Sequence, residues 1–348
     1  MSRAIFRRHR ATLASISDVS VTVPHSVLRR TTGEIERNLS LDALRAAFEH
    51  PESGTLWVDL DVSDDAQAAL LTKLFRFHPL AVEDARNPSS RVKAEEYPGF
   101  LVVVARVVSF CETTPDPYDL ETANLTLFVT ESVIVTTHME TLPAVQALVE
   151  RLESNPDLLE RGPARVAHQV LDTAIDAYFP ILDQLDEFVD EMEQRVFGQF
   201  DEKLLQEIFK VKRLVISLRR YLAPQREIFN VLTNRPSALL PAESQLYFRD
   251  VYDHVLRIND SLDTFRELLS STLDSYLTQV SNRLGSITKG LSVIATLSVP
   301  FVVISGMWGM NFVEIPLSHH PHGFWIMLVL QLVLGVALVA LLRWKKLL

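Results

Sequence analysis

Apolar positions are spread unevenly along this chain, and the imbalance is sharpest near its C-terminal end. No Asp, Glu, Lys or Arg occurs between Lys289 and Glu314, and none between Glu314 and Arg343. A helix that crosses a bilayer needs about 20 mostly apolar residues. Residues 290–308 meet that need, and so do residues 324–342, where Gln331 is the one strongly polar side chain. Two such runs joined by a short loop predict a helical hairpin in a membrane rather than a pair of core helices.

Upstream the pattern changes character. Residues 56–60, 101–110, 125–130 and 133–137 are rich in β-branched and aromatic side chains and read as strands. Glu131-Ser132 suits the turn of a hairpin between the last two. Residues 41–48, 66–75 and 144–152 carry helical patterns, with Asp64-Asp65 placed to cap the second. An α/β domain is therefore expected over residues 1–156. From about Pro163 the strand signal disappears. Three helical stretches follow, over 164–197, over 201–232, and from Glu243 into the membrane. Gly198 breaks the first pair, and Asn234-Arg235-Pro236 with Pro241 breaks the second. Pro180 and Pro224 fall inside helical patterns and are expected to kink them. Gly285 and Gly290 weaken the third stretch without ending it, so a helix about 100 Å long is predicted up to Trp308. The expected plan is an α/β domain (1–156), a long-helix bundle and stalk (163–289), a first span (290–312), a loop (313–323), a second span (324–342) and a basic tail (343–348).

Charge gives this plan an orientation. Arg283 and Lys289 precede the first span, Arg343, Lys345 and Lys346 follow the second, and residues 311–323 hold no Lys or Arg. The positive-inside rule then puts both termini in the cytoplasm and the loop outside, with Trp308, Trp325 and Trp344 as interfacial anchors. The formal net charge is −10, yet residues 290–348 carry three bases and one acid, so the remainder carries −12. So acidic a body argues against a nucleic-acid partner and suits the attraction of cations. Cys111 is the one cysteine, which excludes an intrachain disulfide and fits a reducing compartment. Residues 1–17 are basic and lack a long apolar core, and are expected to begin a cytoplasmic domain rather than to form a secretory signal. No nucleophile–base pair or phosphate-binding loop points to an enzyme.

Between the spans stands Gly309-Met310-Asn311-Phe312, polar residues at the mouth of the hairpin, where ions could pass. One hairpin cannot enclose a path, so several subunits are required. Leu277, Leu284 and Leu291 recur every seven residues, as do Leu273, Val280, Ile287 and Ile294. That spacing fits helices around a common axis, or packing onto other helices of the same chain.

These residues carry a resemblance. Met307-Trp308-Gly309-Met310-Asn311-Phe312 is similar to the YGMNF motif of the CorA family of divalent metal ion transporters, with Trp308 where Tyr is usual. Phe77-His78-Pro79-Leu80-Ala81-Val82-Glu83-Asp84 resembles the family's HPL-x-x-ED segment. Residues 248–254 and 273–277 resemble parts of its stalk helix. The loop Glu314-Ile315-Pro316-Leu317-Ser318 departs from the common MPEL-type continuation but keeps an acid. The resemblance implies a funnel-shaped homopentamer in the inner (plasma) membrane, with the first membrane helix lining a pore. It also implies that Asp84 and Asp250 face each other between neighbouring subunits, with Glu83 and Asp253 assisting. Opposed carboxylates repel unless a cation lies between them, so bound Mg²⁺ would pin the subunits and favour a closed pore.

Mg²⁺ surrenders its waters reluctantly. The Asn311 side-chain carbonyl can accept from those waters, with the backbone carbonyls of Gly309 and Met310 nearby, and Gly309 is expected to let the chain turn. Below it a face spaced by threes and fours runs through Val302, Val299, Ala295, Leu291, Thr288, Gly285, Ser281 and Asp274. An apolar level at Leu291 could gate by dewetting, and Asp274 could gather cations at the inner end. The membrane potential supplies roughly 2.3 kcal/mol per charge per 100 mV, about twice that for a divalent ion. The acids Asp183, Asp186, Glu187, Asp190, Glu191 and Glu193 read as a solvated helix face. His319, His320 and His322 read as exposed loop residues, although Ni²⁺, Co²⁺ or Zn²⁺ would suit them. His78 reads as structural. Mg²⁺ uptake gated by cytoplasmic Mg²⁺, with Co²⁺ or Ni²⁺ as further cargo, is the expected function. A zinc transporter of the same superfamily, proton-coupled, and a membrane-anchored metal sensor are the alternatives.

Overall fold

The computed structural model describes residues 23–111, 113–198, 201, 203–235, 237–311, 315–317 and 319–345. The basic segment 1–17, Phe312, Glu314, Ser318 and Lys346 lie outside the described residues. Two compact units divide the chain: Met1–Glu191 with Gln206–Leu269, and Met192–Leu205 with Ser270–Leu348.

The first unit contains a seven-stranded sheet built from β1 (Ser26–Arg30), β2 (Ile35–Arg37), β3 (Gly54–Asp61), β4 (Lys93–Tyr97), β5 (Phe100–Phe110), β6 (Leu120–Val129) and β7 (Val133–His138). Their order is β2-β1-β3-β7-β6-β5-β4. β3 and β7 pair in parallel, from Leu56 opposite Val133 to Asp61 opposite His138. On one face lie α1 (Leu41–Glu49), α2 (Asp65–Lys73) and α3 (Pro79–Arg86). There Leu44, Leu71, Phe75 and Phe77 join Leu56, Val58, Leu60, Phe128 and Val135 in the core. Phe77 stacks on Phe128 with ring centroids 4.5 Å apart. The other face is covered by α5 (Pro163–Asp176), with α4 (Pro143–Ser154) beside it.

All four expected strands form, and local chemistry explains their ends. Thr130 N donates to Val133 O (2.8 Å) and Val133 N to Thr130 Oγ1 (2.9 Å), closing the hairpin at Glu131-Ser132. Asp64 caps α2 by accepting from Ala66 N at 2.8 Å. The short strands β1, β2 and β4 and the helix α3 were not anticipated. The single helix expected over 164–197 is instead α5 and α6 (Tyr178–Phe197), parted at Ala177. Pro180 falls in the first turn of α6, three residues after this break, where its missing N–H leaves Asp176 O without the next helical bond. Pro224 lies within α7 (Leu204–Asn234), which stays helical on both sides.

α8 (Ala242–Trp308) is one helix of 67 residues, with Pro300 inside it. In the first unit Phe248, Val251, Val255, Ile258, Leu262, Phe265 and Leu269 form a buried stripe on α8 at helical spacing. In the second unit Met192, Val196, Leu204 and Tyr276 are buried, and Thr272 Oγ1 donates to Glu193 Oε1 at 3.4 Å. Between Tyr276 and the contacts with the last helix, α8 has a largely exposed apolar stretch among the described residues. Leu277, Leu284, Ile287, Leu291 and Ile294 are each more than half exposed.

α9 (Gly323–Trp344) packs against the end of α8. Gln331 Nε2 donates to Ser305 Oγ at 3.0 Å, which satisfies the polar side chain of the second span. One turn further Gly335 admits Phe301, since a Cβ there would come within 2.8 Å of its ring. Both helices are long and apolar enough to cross a membrane.

Candidate functional site

The expected ion path begins where α8 ends. Gly309 N reaches both Ser305 O (3.1 Å) and Gly306 O (3.2 Å), and Met310 N reaches Met307 O (3.4 Å), so the helix tightens and stops. Asn311 follows, exposed and outside the helix. Gly309 does not adopt a left-handed conformation. A Cβ there would make only ordinary contacts, 3.5 Å from Ser305 O and Gly306 O. The expected need for glycine in turning the chain is therefore not met within one protomer. Val302, Val299, Ala295, Leu291, Thr288, Gly285, Ser281 and Asp274 are all exposed. Phe301, around the helix from that face, is half-buried at Gly335 of α9. The acids Asp183, Asp186, Glu187 and Asp190 of α6 are exposed, as a solvated face would be. In the loop His320 Nδ1 accepts from His322 N at 3.2 Å. Among the described residues, the histidines there form no three-ligand group.

Asp84 has a defined setting in the first unit. His78 Nδ1 accepts from Leu80 N (3.3 Å) and Pro79 opens α3, so His78 is a helix cap. At the end of the motif, Asp84 Oδ1 accepts from Ser90 Oγ at 2.9 Å. Its Oδ2 lies 2.8 Å from Lys93 Nζ, which is also 2.8 Å from Glu95 Oε2. Burial works against the Lys93 charge, but bonds to Asp84 and Glu95 outweigh it and raise the pKa. The loop between α3 and β4 is held by Arg106, which donates to Pro88 O (3.2 Å) and Ser90 O (2.9 Å). Asn124 Nδ2 adds bonds to Asn87 O (3.1 Å) and Pro88 O (3.2 Å). Glu83, Asp250 and Asp253 are exposed.

One cluster escaped the sequence reading. Asp172 and Asp176, one turn apart on α5, meet His254 of α8, and one ligand atom from each lies within 4.8 Å of the others. His254 Nδ1 is 3.1 Å from Asp176 Oδ1 and 3.9 Å from Asp172 Oδ1. Among the described residues, buried Asp172 Oδ1 accepts no hydrogen bond, and His254 Nδ1 meets Asp176 as an ion pair without hydrogen-bond alignment. Burial pushes the Asp172 carboxyl pKa up, and the charges of Asp176 and Asp250 push it further against the pull of His254. Asp250, one turn before His254 on α8, thus belongs electrically to this group. Two carboxylates and an imidazole suit a divalent cation, the oxygens for Mg²⁺ and the nitrogen for Co²⁺ or Ni²⁺. The available signal was a pair of i, i+4 spacings, Asp172/Asp176 and Asp250/His254, which is common on helices.

An α/β unit bearing acidic ligand groups, a long helix that continues into an apolar span, and a second apolar helix define a membrane protein equipped to meet cations. The family model described as CorA-like Mg²⁺ transporter protein matches residues 52–345. YfjQ of Bacillus subtilis (strain 168) is 30% identical over 324 residues, 93% of this chain and 96% of its own. The cobalt/magnesium transport protein CorA of Thermotoga maritima is 29% identical over 275 residues, 79% of this chain and 78% of its own. The solved structure of the CorA magnesium transporter from Methanocaldococcus jannaschii superposes with a TM-score of 0.79 at 20% identity, covering 93% of this chain and 98% of that one. The chain belongs to the CorA family of divalent metal ion transporters.

Proposed function

We propose that this chain forms a Mg²⁺ channel, driven by the membrane potential and closed by cytoplasmic Mg²⁺ bound between subunits. The observation that carries the assembly is the uncovered stripe of α8. Leu277, Leu284 and Ile287 are more than half exposed, although they precede the charge-free span. Apolar surface of that kind marks an interface, and other copies of the same helix meet it with the same seven-residue spacing. Five copies around an axis would bring the Asn311 amides into a ring that hydrogen-bonds the waters of a hydrated ion. The Leu291 level would act as the apolar gate and Asp274 as the inner acidic ring. Both termini lie in the cytoplasm and the Asn311 loop outside, in the inner membrane.

The regulatory reading joins two observations in the first unit. Asp84, on α3, has its carboxylate held by Ser90 of the clamped loop, and Asp250 acts on Asp172 of the Asp172–Asp176–His254 group, where Asp172 Oδ1 is buried without a hydrogen bond. Two neighbouring carboxylates that raise each other's pKa, with an imidazole beside them, are a fit for a divalent cation. Mg²⁺ held there, with Glu83 and Asp253 nearby, would neutralise carboxylates that otherwise repel. α8 runs without interruption from Asp250 to Leu291, so a change at one level is transmitted along a single helix.

The test is uptake into liposomes containing the purified chain, with Mg²⁺, Co²⁺, Ni²⁺ and Zn²⁺ in competition and with or without a pH gradient. Potential-driven Mg²⁺ entry, reduced at least tenfold in Asn311→Ala, is expected. Zn²⁺ entry that follows the pH gradient would favour a zinc transporter, and absence of flux would favour a membrane-anchored sensor.

A further inference from the structure

We propose that Lys93 is a tethered competitor for the regulatory cation. Its ammonium occupies Asp84 when no divalent ion is bound and rests on Glu95 when one is, which sets the Mg²⁺ concentration that closes the pore. The inference rests on reading Asp84 as a regulatory ligand.

Asp84 is not a free carboxylate. Ser90 Oγ holds Oδ1 at 2.9 Å, and Lys93 Nζ holds Oδ2 at 2.8 Å. The Ser90 hydroxyl is neutral and orients the group. The ammonium is a cation in the place where a divalent ion or its water would bind. It also has a second partner within the same reach, Glu95 Oε2 at 2.8 Å. Lys93, Glu95 and Tyr97 are alternate residues of β4 and share one face of that strand. Tyr97 Oη donates to the same Glu95 oxygen at 3.2 Å and so keeps this carboxylate in position. When a divalent ion takes Asp84, Lys93 therefore gives up one carboxylate and keeps the other.

The frame around this exchange is rigid. β4 pairs with β5 from Lys93 opposite Val104 to Tyr97 opposite Phe100. Arg106 and Asn124 fix the loop that carries Ser90. The side chains of Lys93 and Asp84 are 27% and 24% exposed, so the pair lies at the rim, where ions reach it. A rim ion pair of this kind shifts an equilibrium by about two- to five-fold. That is enough to tune a binding midpoint without blocking it.

The experiment uses the full chain in detergent. Mg²⁺ is titrated while thermal unfolding and protease resistance are followed, and closure by internal Mg²⁺ is measured in liposomes. Lys93→Met should lower the midpoint about two- to five-fold, while Lys93→Arg stays near the wild-type value. Glu95→Gln, which confines Lys93 to Asp84, should raise it. A Lys93→Met midpoint that is unchanged or higher, while Asp84→Asn weakens the Mg²⁺ response, overturns the competitor role and leaves the regulatory site standing. A Glu95→Gln midpoint that does not rise also counts against it. If Asp84→Asn leaves the response intact, the regulatory reading of Asp84 fails and this inference falls with it.

Discussion

Replacing Asp172 by Asn should make the metal-free protein more stable and the Mg²⁺-loaded protein less so. The side chain keeps its shape and loses a charge that its surroundings oppose, since burial, Asp176 and Asp250 all raise its pKa. Two unit charges at the 4.8 Å limit of this cluster interact by about 3 kcal/mol at an effective dielectric of 20. The Asp176 side chain is 49% exposed, and Asp172 also gives up its attraction to His254, so the net gain falls to roughly 1 kcal/mol. That is a rise of about 2–4 °C in melting temperature without metal. Ligand binding adds about 1.4 kcal/mol for each tenfold rise in Mg²⁺ above the dissociation constant. Wild type should gain on that slope, and Asp172→Asn should show a flat or strongly displaced curve. The assay is thermal unfolding of the full chain in detergent at pH 7.5, from EDTA to 20 mM Mg²⁺. A variant that is less stable without metal yet keeps the wild-type Mg²⁺ slope would refute the reasoning.

Two further perturbations probe the scaffold that presents this group. Gln225 is fully buried, donates to Arg106 O (3.0 Å) and Tyr178 Oη (2.9 Å), and accepts from Arg106 N (3.3 Å). Gln225→Leu takes the side-chain acceptor from Arg106 N, while Tyr178 Oη still donates to Arg106 O at 3.2 Å, and should cost about 1–2 kcal/mol in denaturant unfolding. His168 is buried, and burial followed by the Arg165 charge lowers its pKa to about 4 from 6.5. Its folded-state pKa is depressed, so the unfolded chain takes up a proton between these values that the folded chain refuses, and stability falls as pH drops through that window. From pH 7.5 to 5 the loss is about 2 kcal/mol. His168→Phe should remove that part of the acid limb in melts across pH.

Long, charge-free and periodic segments are legible in the sequence. The spans of α8 and α9, the Gly198 break and the strands β3, β5, β6 and β7 all follow from patterns that dominate their windows. The short edge strands were not legible. Lys93-Ala94-Glu95-Glu96-Tyr97 has no apolar alternation, and only pairing with β5 makes it a strand. Ala177 parts α5 from α6 three residues before Pro180, and a proline inside a helical pattern does not tell a kink from a full break. Membership of the site was harder still. Asp84 and Asp250 came from family resemblance. Asp172, Asp176 and His254 meet across two helices far apart in sequence, which spacing alone cannot reveal. The role expected for Gly309 came from a local rule that its backbone does not need within one protomer.

Gating by the transported ion is tested most directly by potential-driven Mg²⁺ flux through the purified chain in liposomes as internal Mg²⁺ is raised. Wild type should conduct at low internal Mg²⁺ and close as it rises, while Asp250→Asn should stay open at concentrations that shut the wild type. Absence of flux, or closure by internal Mg²⁺ that is the same in both proteins, would contradict it.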